Sequence, residues 1–197
     1  MRNKMNEQEL RDIIKNSKKS MEPDQLKTQD QQFPQLCWIL LLKCFEDFEK
    51  NRSVIDKNFK ESIPKPYRWE DWAADENYGQ TGDALVKFVD FDLVPALQKL
   101  DTTIKGTEST VIVSAFSGFK NRIRDGHALR GIINDVNKIN FQKKSEAKTF
   151  AKIFEEELKD WINTAKKDAY FFTPRVLCEF IVSVIKPSFK KKEKVFD

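Results

Sequence analysis

The sequence predicts an all-α fold, a compact multi-helix bundle, and three observations carry that expectation. Apolar residues recur at spacings of three and four in one stretch after another from about residue 32 to residue 185, the spacing that lines one face of an α-helix. Strand-type alternation is absent until Val195, where the start of a single strand is expected at the C-terminal end. The run Leu36-Cys37-Trp38-Ile39-Leu40-Leu41-Leu42 is apolar around the full circumference of a helix, before charges appear at Lys43, Glu46, Asp47 and Glu49. A helix with no polar face belongs at the centre, with others packed around it.

Taken in order, residues 1–30 read as a weakly ordered lead-in. A short helix around Leu10, Ile13 and Ile14 passes into Met21-Glu22-Pro23-Asp24 and a Gln/Asp-rich segment. The helical domain is expected over 31–165 and opens with the central helix, from about Gln32 to Lys50. Pro64-Lys65-Pro66 interrupts regular structure. Trp69 and Trp72 then offer two indoles to one side, but the acidic residues around them (Glu70, Asp71, Asp75, Glu76) repel phosphate, so they read as core anchors and not as a base-stacking platform. Thr81-Gly82-Asp83 opens a helix carrying Leu85, Phe88, Val89, Leu93, Val94 and Leu97, with a kink expected at Pro95. Further helices are expected after Gly106 (Val111, Ile112, Ala115, Phe116, Phe119), from Gly126 (Leu129, Ile132, Ile133, Val136, Ile139) and over 147–162 (Phe150, Ile153, Phe154, Leu158, Trp161, Ile162). Residues 166–197 read as a linker, a helix opened by Thr173-Pro174 and stopped by Pro187, and the beginning of a strand.

Composition narrows the functional classes. The 197 residues are 34% charged and 40% hydrophobic, a globular balance with enough chain to bury a core. The longest apolar run, Leu36 to Leu42, falls far short of the roughly 20 residues that cross a membrane, and Met1-Arg2-Asn3-Lys4 does not open a leader peptide, so the expected location is cytoplasmic. Cys37, Cys44 and Cys178 form no Cys-x-x-Cys pair, and His127 is the chain's one histidine. A disulfide framework, a metal site or a Cys-His nucleophile is therefore not expected. A net charge of +4, from 35 cationic residues mixed with 31 anionic ones, permits contact with nucleic acid without demanding it.

Two stretches could contact a ligand. Thr173 caps a helix whose first residue is Pro174, and Val176, Leu177, Phe180, Ile181, Val184 and Ile185 give that helix one apolar face. Free N–H groups and the positive end of the helix dipole suit a carboxylate or phosphate there, although a capped helix start that binds nothing fits the same residues. In the second stretch, Lys120, Arg122, Arg124 and Arg130 surround the glycine turn at Gly126. They could grip a DNA backbone, helped by the backbone donors of the turn; equally, Arg124 or Arg130 could pair internally with Asp125, Asp135 or Glu70. No catalytic residues are assigned.

Four stretches resemble the N-terminal part of the modification (methyltransferase) subunit of type I restriction-modification systems. They are Pro34-Gln35-Leu36-Cys37-Trp38-Ile39-Leu40-Leu41-Leu42-Lys43; Tyr67-Arg68-Trp69-Glu70-Asp71-Trp72-Ala73; Thr81-Gly82-Asp83-Ala84-Leu85; and Asn121-Arg122-Ile123-Arg124-Asp125-Gly126-His127-Ala128-Leu129-Arg130. Phe171-Phe172-Thr173-Pro174-Arg175 stands where the family has Phe-Tyr-Thr-Pro-Arg, ahead of a strand that ends in Asp and a glycine-rich cofactor loop. The resemblance implies an S-adenosylmethionine-dependent, adenine-specific DNA methyltransferase as the parent protein. In it Phe172, Thr173 and Pro174 would lie against the cofactor, and Val195-Phe196-Asp197 would stand just before the glycine loop. It also implies double-stranded DNA, the specificity subunit and the restriction subunit as partners, with this part of the subunit helping to clamp DNA and to dock on the specificity subunit. By itself the chain is expected to be inactive and to hold no cofactor tightly. Where the family has a glycine-bearing loop ending in Gly-Glu, this sequence has Thr164-Ala165-Lys166-Lys167-Asp168-Ala169-Tyr170. The competing expectation is a stand-alone helical protein-interaction module with no role on DNA.

Overall fold

The computed structural model describes residues 5–74, 79–103 and 108–164, and every regular element among them is a helix, with no strand. The elements expected beyond residue 165, including the Thr173-Pro174 helix, lie outside the described residues. None of the described helices is long and apolar enough to cross a membrane.

Helix α1, Glu7–Ser20, opens on a reciprocal cap in which Asn6 Oδ1 accepts from Glu9 N at 2.9 Å and Glu9 Oε2 accepts from Asn6 N at 2.7 Å. Its stripe of Leu10, Ile13, Ile14 and Ser17 is buried, and Met21 and Leu26 behind it are buried too. This helix falls within residues 1–30, the expected lead-in. Burial at these positions lays the helix into the core, and its outer edge is tied to the helix over Lys144–Thr164 by Arg11–Glu156 at 2.7 Å and by Lys18–Glu157.

Helix α2, Gln29–Ile55, is the central element foreseen in the sequence, longer at both ends than the apolar run required. It packs on α1 and on the later helices α3 (Trp69–Trp72), α7 (Gly126–Asn137) and α8 (Lys144–Thr164). Its one buried ion pair, Lys43 Nζ to Asp47 Oδ1 at 2.7 Å, is completed by the Phe141 N–H, which donates to Asp47 Oδ2 at 2.9 Å. That second bond ties the turn between α7 and α8 to α2, and it satisfies a carboxylate that burial would otherwise penalise. Trp69 and Trp72 are core anchors, as expected: Trp72 stacks on Trp38 with centroids 6.4 Å apart, and the Trp69 indole N–H donates to Asn137 Oδ1 at 2.9 Å.

The stretch read as one kinked helix is α4 (Gly82–Lys87), a π-helical turn over Phe88–Leu93, and α5 (Val94–Gln98). Pro95 has no N–H, and its ring would clash with the Phe91 carbonyl in a regular helix. The wider turn just before it, closed by Val94 N–H to Val89 O, takes up that misfit. Helix α6, Glu108–Phe116, buries Ile112 and Phe116. Helix α7 buries Leu129, Ile132, Ile133 and Val136, and α8 buries Phe150 and Ile153, the faces their spacings predicted.

The tightest approach in the fold joins the starts of α4 and α7. A Cβ built on Gly126 would lie 1.9 Å from Gly82 O and 2.7 Å from Gly82 Cα, so only glycine fits there. Gly82 itself has φ +57, in the left-handed region that favours glycine. Replacement of Gly126 by Ala is expected to destabilise the chain by about 3 kcal/mol, because the obstacle is backbone and cannot rotate away. Urea unfolding monitored by circular dichroism checks it through a lower midpoint at unchanged slope.

Candidate nucleic-acid interface

The loop between α6 and α7 carries the basic stretch singled out in the sequence. Gly118, with φ +70, turns the chain away from α6, and Phe119 then packs on Trp38 and Phe116. From there burial alternates: Asn121 and Ile123 point inward, whereas Lys120, Arg122 and Arg124 are exposed. This alternation gives the loop a basic outer face.

Inside, buried amides hold the backbone. The Gln35 side chain on α2 donates through Nε2 to Lys120 O at 3.2 Å and accepts from Arg122 N at 2.9 Å, spanning the loop. Asn121 folds onto Ile123, accepting its N–H at 3.1 Å and donating to its carbonyl at 3.2 Å. An unpaired amide at either site would cost on the order of 1–3 kcal/mol, so the pairing fixes the position of the loop relative to α2.

The start of α7 differs from the sequence expectation in one respect. Its backbone donors were offered there to a phosphate, but the chain's own carboxylates occupy them. Asp24, presented from a 3₁₀ turn over Glu22–Asp24, accepts from Arg124 N at 2.7 Å and from Asp125 N at 2.9 Å. Asp125 caps α7 by accepting from His127 N at 2.8 Å and Ala128 N at 3.1 Å. The exposed His127 ring lies within hydrogen-bonding distance of Thr81, Nδ1 to Oγ1 3.2 Å.

The four cations do not share one environment. Arg130 is only 7% exposed, and its guanidinium donates to three backbone carbonyls: Gln80 O at 2.8 Å, Ala73 O at 3.1 Å and Trp72 O at 3.1 Å. Its partners are thus not the carboxylates weighed in the sequence; Asp135 pairs with Lys138 and Glu70 with Lys50. That Lys50 hydrogen bond holds the Glu70 carboxyl below the usual range. Arg124, with a side chain 57% exposed, pairs with Asp90 on the π-helical turn and donates to Asn121 O. Asp90 also accepts from Asn121 Nδ2 at 3.2 Å. Lys120 and Arg122 project outward, and among the described residues no ion pair engages either of them. Asp90, Lys120, Asn121 and Arg124 line one side of an open cavity of about 640 Å³ whose other walls include Val94 and Phe119.

Gln35, Asp24 and Asp90 were not legible as site residues. Gln35 left one trace, as a lone amide beside a fully apolar run. Phe172, Thr173 and Pro174, the candidate cofactor residues, lie outside the described residues. Among the described residues no group of His, Cys, Asp and Glu could hold a metal ion. Cys37 and Cys44 both line an apolar groove of about 690 Å³ between α2, α6 and α8, and burial pushes the Cys37 thiol up to about 12.

The described residues define an all-α domain, and its fold is matched in a modification subunit of a type I restriction enzyme. The chain is homologous to type I restriction enzyme methylase (modification) subunits. It is 37% identical over 168 residues to the methylase subunit of the type I restriction enzyme EcoEI from Escherichia coli, an alignment that covers 85% of this chain and 34% of the relative. It superposes with a TM-score of 0.84 and 32% identity on the crystal structure of a modification subunit assigned to a type I restriction enzyme of Vibrio vulnificus YJ016, covering 95% of this chain and 42% of that one. The chain therefore spans about a third of the length of the curated relative. No family model matches it.

Arg130 and Arg122 are expected to separate by stability. Arg130→Met removes the donors of three carbonyls, two of them in buried contacts, and should cost about 3 kcal/mol, whereas Arg122→Ala should stay within about 0.5 kcal/mol of the parent. Denaturant midpoints of the two variants, measured side by side, check the difference.

Proposed function

We propose that this chain is the N-terminal helical domain of a type I modification subunit and that it helps to clamp double-stranded DNA through the backbone-contacting side chains of Lys120, Arg122 and Arg124. The observation that carries this reading is the basic outer face of the 120–124 loop, held from behind by Gln35 and Asn121. A cation on a pinned loop loses little freedom when it meets a phosphate, and contacts of this kind orient a protein on a duplex without reading sequence. Arg130 stands apart from the proposed surface, since its guanidinium serves the interior. The parent subunit would be an S-adenosylmethionine-dependent, adenine-specific methyltransferase located in the cytoplasm, working with a specificity subunit, on which this domain docks, and a restriction subunit. Phe172, Thr173 and Pro174 are proposed as one wall of its cofactor site.

One observation favours a second reading. The groove lined by Phe33, Trp38, Leu41, Phe119, Phe150 and Phe154 is almost wholly apolar, as a helical protein-interaction module without a DNA role would require. The duplex experiment below separates the two readings. The other discriminating surface, the apolar face of 174–186, lies outside the described residues.

Replacing Lys120 and Arg122 by Ala in the assembled enzyme is expected to weaken binding about equally on cognate and unrelated duplexes. It should also lower the slope of log affinity against log salt by about two, one for each phosphate that is no longer neutralised. Fluorescence anisotropy across a salt series measures both quantities, and unchanged affinity and slope in a folded double variant would favour the interaction module.

This chain alone is expected to show no saturable micromolar binding of S-adenosylmethionine. A helix-terminus contact at Thr173 contributes on the order of 1 kcal/mol, whereas micromolar affinity needs about 8 kcal/mol. Isothermal titration of the purified chain is the check.

A further inference from the structure

We infer that Asp90 is an electrostatic latch on Arg124: it holds the guanidinium until a DNA phosphate takes it over, and so sets how tightly the loop grips a duplex. The inference rests on the reading of the 120–124 loop as a phosphate-contacting surface, and it adds a residue on a different element that regulates that surface.

The two partners are unequally mobile. Asp90 sits on the π-helical turn that accommodates Pro95, its side chain is only 19% exposed, and it is held by a second donor, Asn121 Nδ2 at 3.2 Å. Asn121 is itself buried and bonded to Ile123 on both sides of its amide. The carboxylate is thus a fixed acceptor. Arg124 is a long, mostly exposed side chain that pairs with Asp90 at the rim of the 640 Å³ cavity, which leaves room for the guanidinium to swing. Its backbone N–H is anchored separately on Asp24, so the side chain can change partner without moving the loop.

On the protein side the exchange gives up an ion pair whose guanidinium is mostly exposed, a modest contribution to stability, together with the Arg124 bond to Asn121 O. Asp90 would still keep its bond from Asn121 after Arg124 leaves. A phosphate that arrives next to Lys120 and Arg122 would therefore compete with one carboxylate for the third cation. While the latch is closed, the loop presents two free cations, and when it opens it presents three. Asp24 cannot act in the same way, since it is bonded to backbone N–H groups that have no other position to adopt.

The test uses the assembled enzyme, a labelled duplex of unrelated sequence and a salt series. Asp90→Asn keeps an acceptor for Asn121 and frees Arg124. It should tighten binding several-fold, up to about tenfold near 0.1 M salt, and steepen the salt slope by about one, as one more neutralised phosphate requires. The gain should vanish in Asp90→Asn/Arg124→Ala, and Asp92→Asn, which removes the same charge from an exposed neighbour, should not reproduce it. Asp90→Ser repeats the test with a smaller side chain, and thermal melts confirm that each variant folds. Unchanged or weaker binding by Asp90→Asn overturns the latch, as does a gain that survives loss of Arg124 or is matched by Asp92→Asn. Lys120→Ala/Arg122→Ala judges the surface independently: if that variant weakens binding while Asp90→Asn has no effect, the surface stands and the latch falls.

Discussion

The contact on which this domain depends is the meeting of two helix starts, glycine against glycine, at Gly82 and Gly126. Two N-termini brought this close place the positive ends of two helices side by side, which is unfavourable unless anions or other acceptors lie nearby. Asp125 and Asp24 supply negative charge at the start of α7. From the same turn one helical turn leads to Arg130, whose guanidinium bonds carbonyls of the segments at 72–73 and 80. Remove the close approach and that set of bonds loses its geometry.

All four stretches that carry the family resemblance converge on this region. The first supplies Gln35 and Trp38, the second Trp69, Trp72 and Ala73, the third Gly82, and the fourth Asn121, Gly126 and Arg130. Their residues bond mainly to one another. The hallmarks of the resemblance thus build a scaffold, and Lys120 and Arg122 are bonded to it through their backbones while their side chains face outward.

The helices were legible because burial in α2, α7 and α8 follows the three-and-four spacing that the sequence displays. The depth of α1 was underread, since its four inward residues are separated by charged ones and followed by a Gln/Asp-rich segment. Pro95 announced an irregularity but not its form, because a kink and a π-turn answer the same missing N–H. The loop was harder. Four cations near a glycine look alike in sequence, and their roles diverge through acceptors more than thirty residues distant: carbonyls at 72, 73 and 80 for Arg130, and the Asp90 carboxylate for Arg124. Main-chain carbonyls leave no mark in a sequence, so the burial of Arg130 had no signal to read. Lys120, Arg122 and Arg124 lie at alternate positions, and that spacing was the one available sign of a shared face.

The placement of α1 bears on how the chain is made. Its buried stripe lies against α7 and α8, whose residues follow it by more than a hundred positions, and Asp24 closes on Arg124 and Asp125 across the same separation. As a ribosome produces the chain, α1 meets α2 early, but the side of its apolar stripe that faces α7 and α8 waits for them, an interval of roughly 5–20 s at usual elongation rates. The reciprocal cap between Asn6 and Glu9 and the pair of Arg11 with Glu7, all local, help to keep it helical through that wait. The contacts of the first helix with α7 and α8 are then among the last to form, and the nascent chain up to α7 is the species that a chaperone would meet.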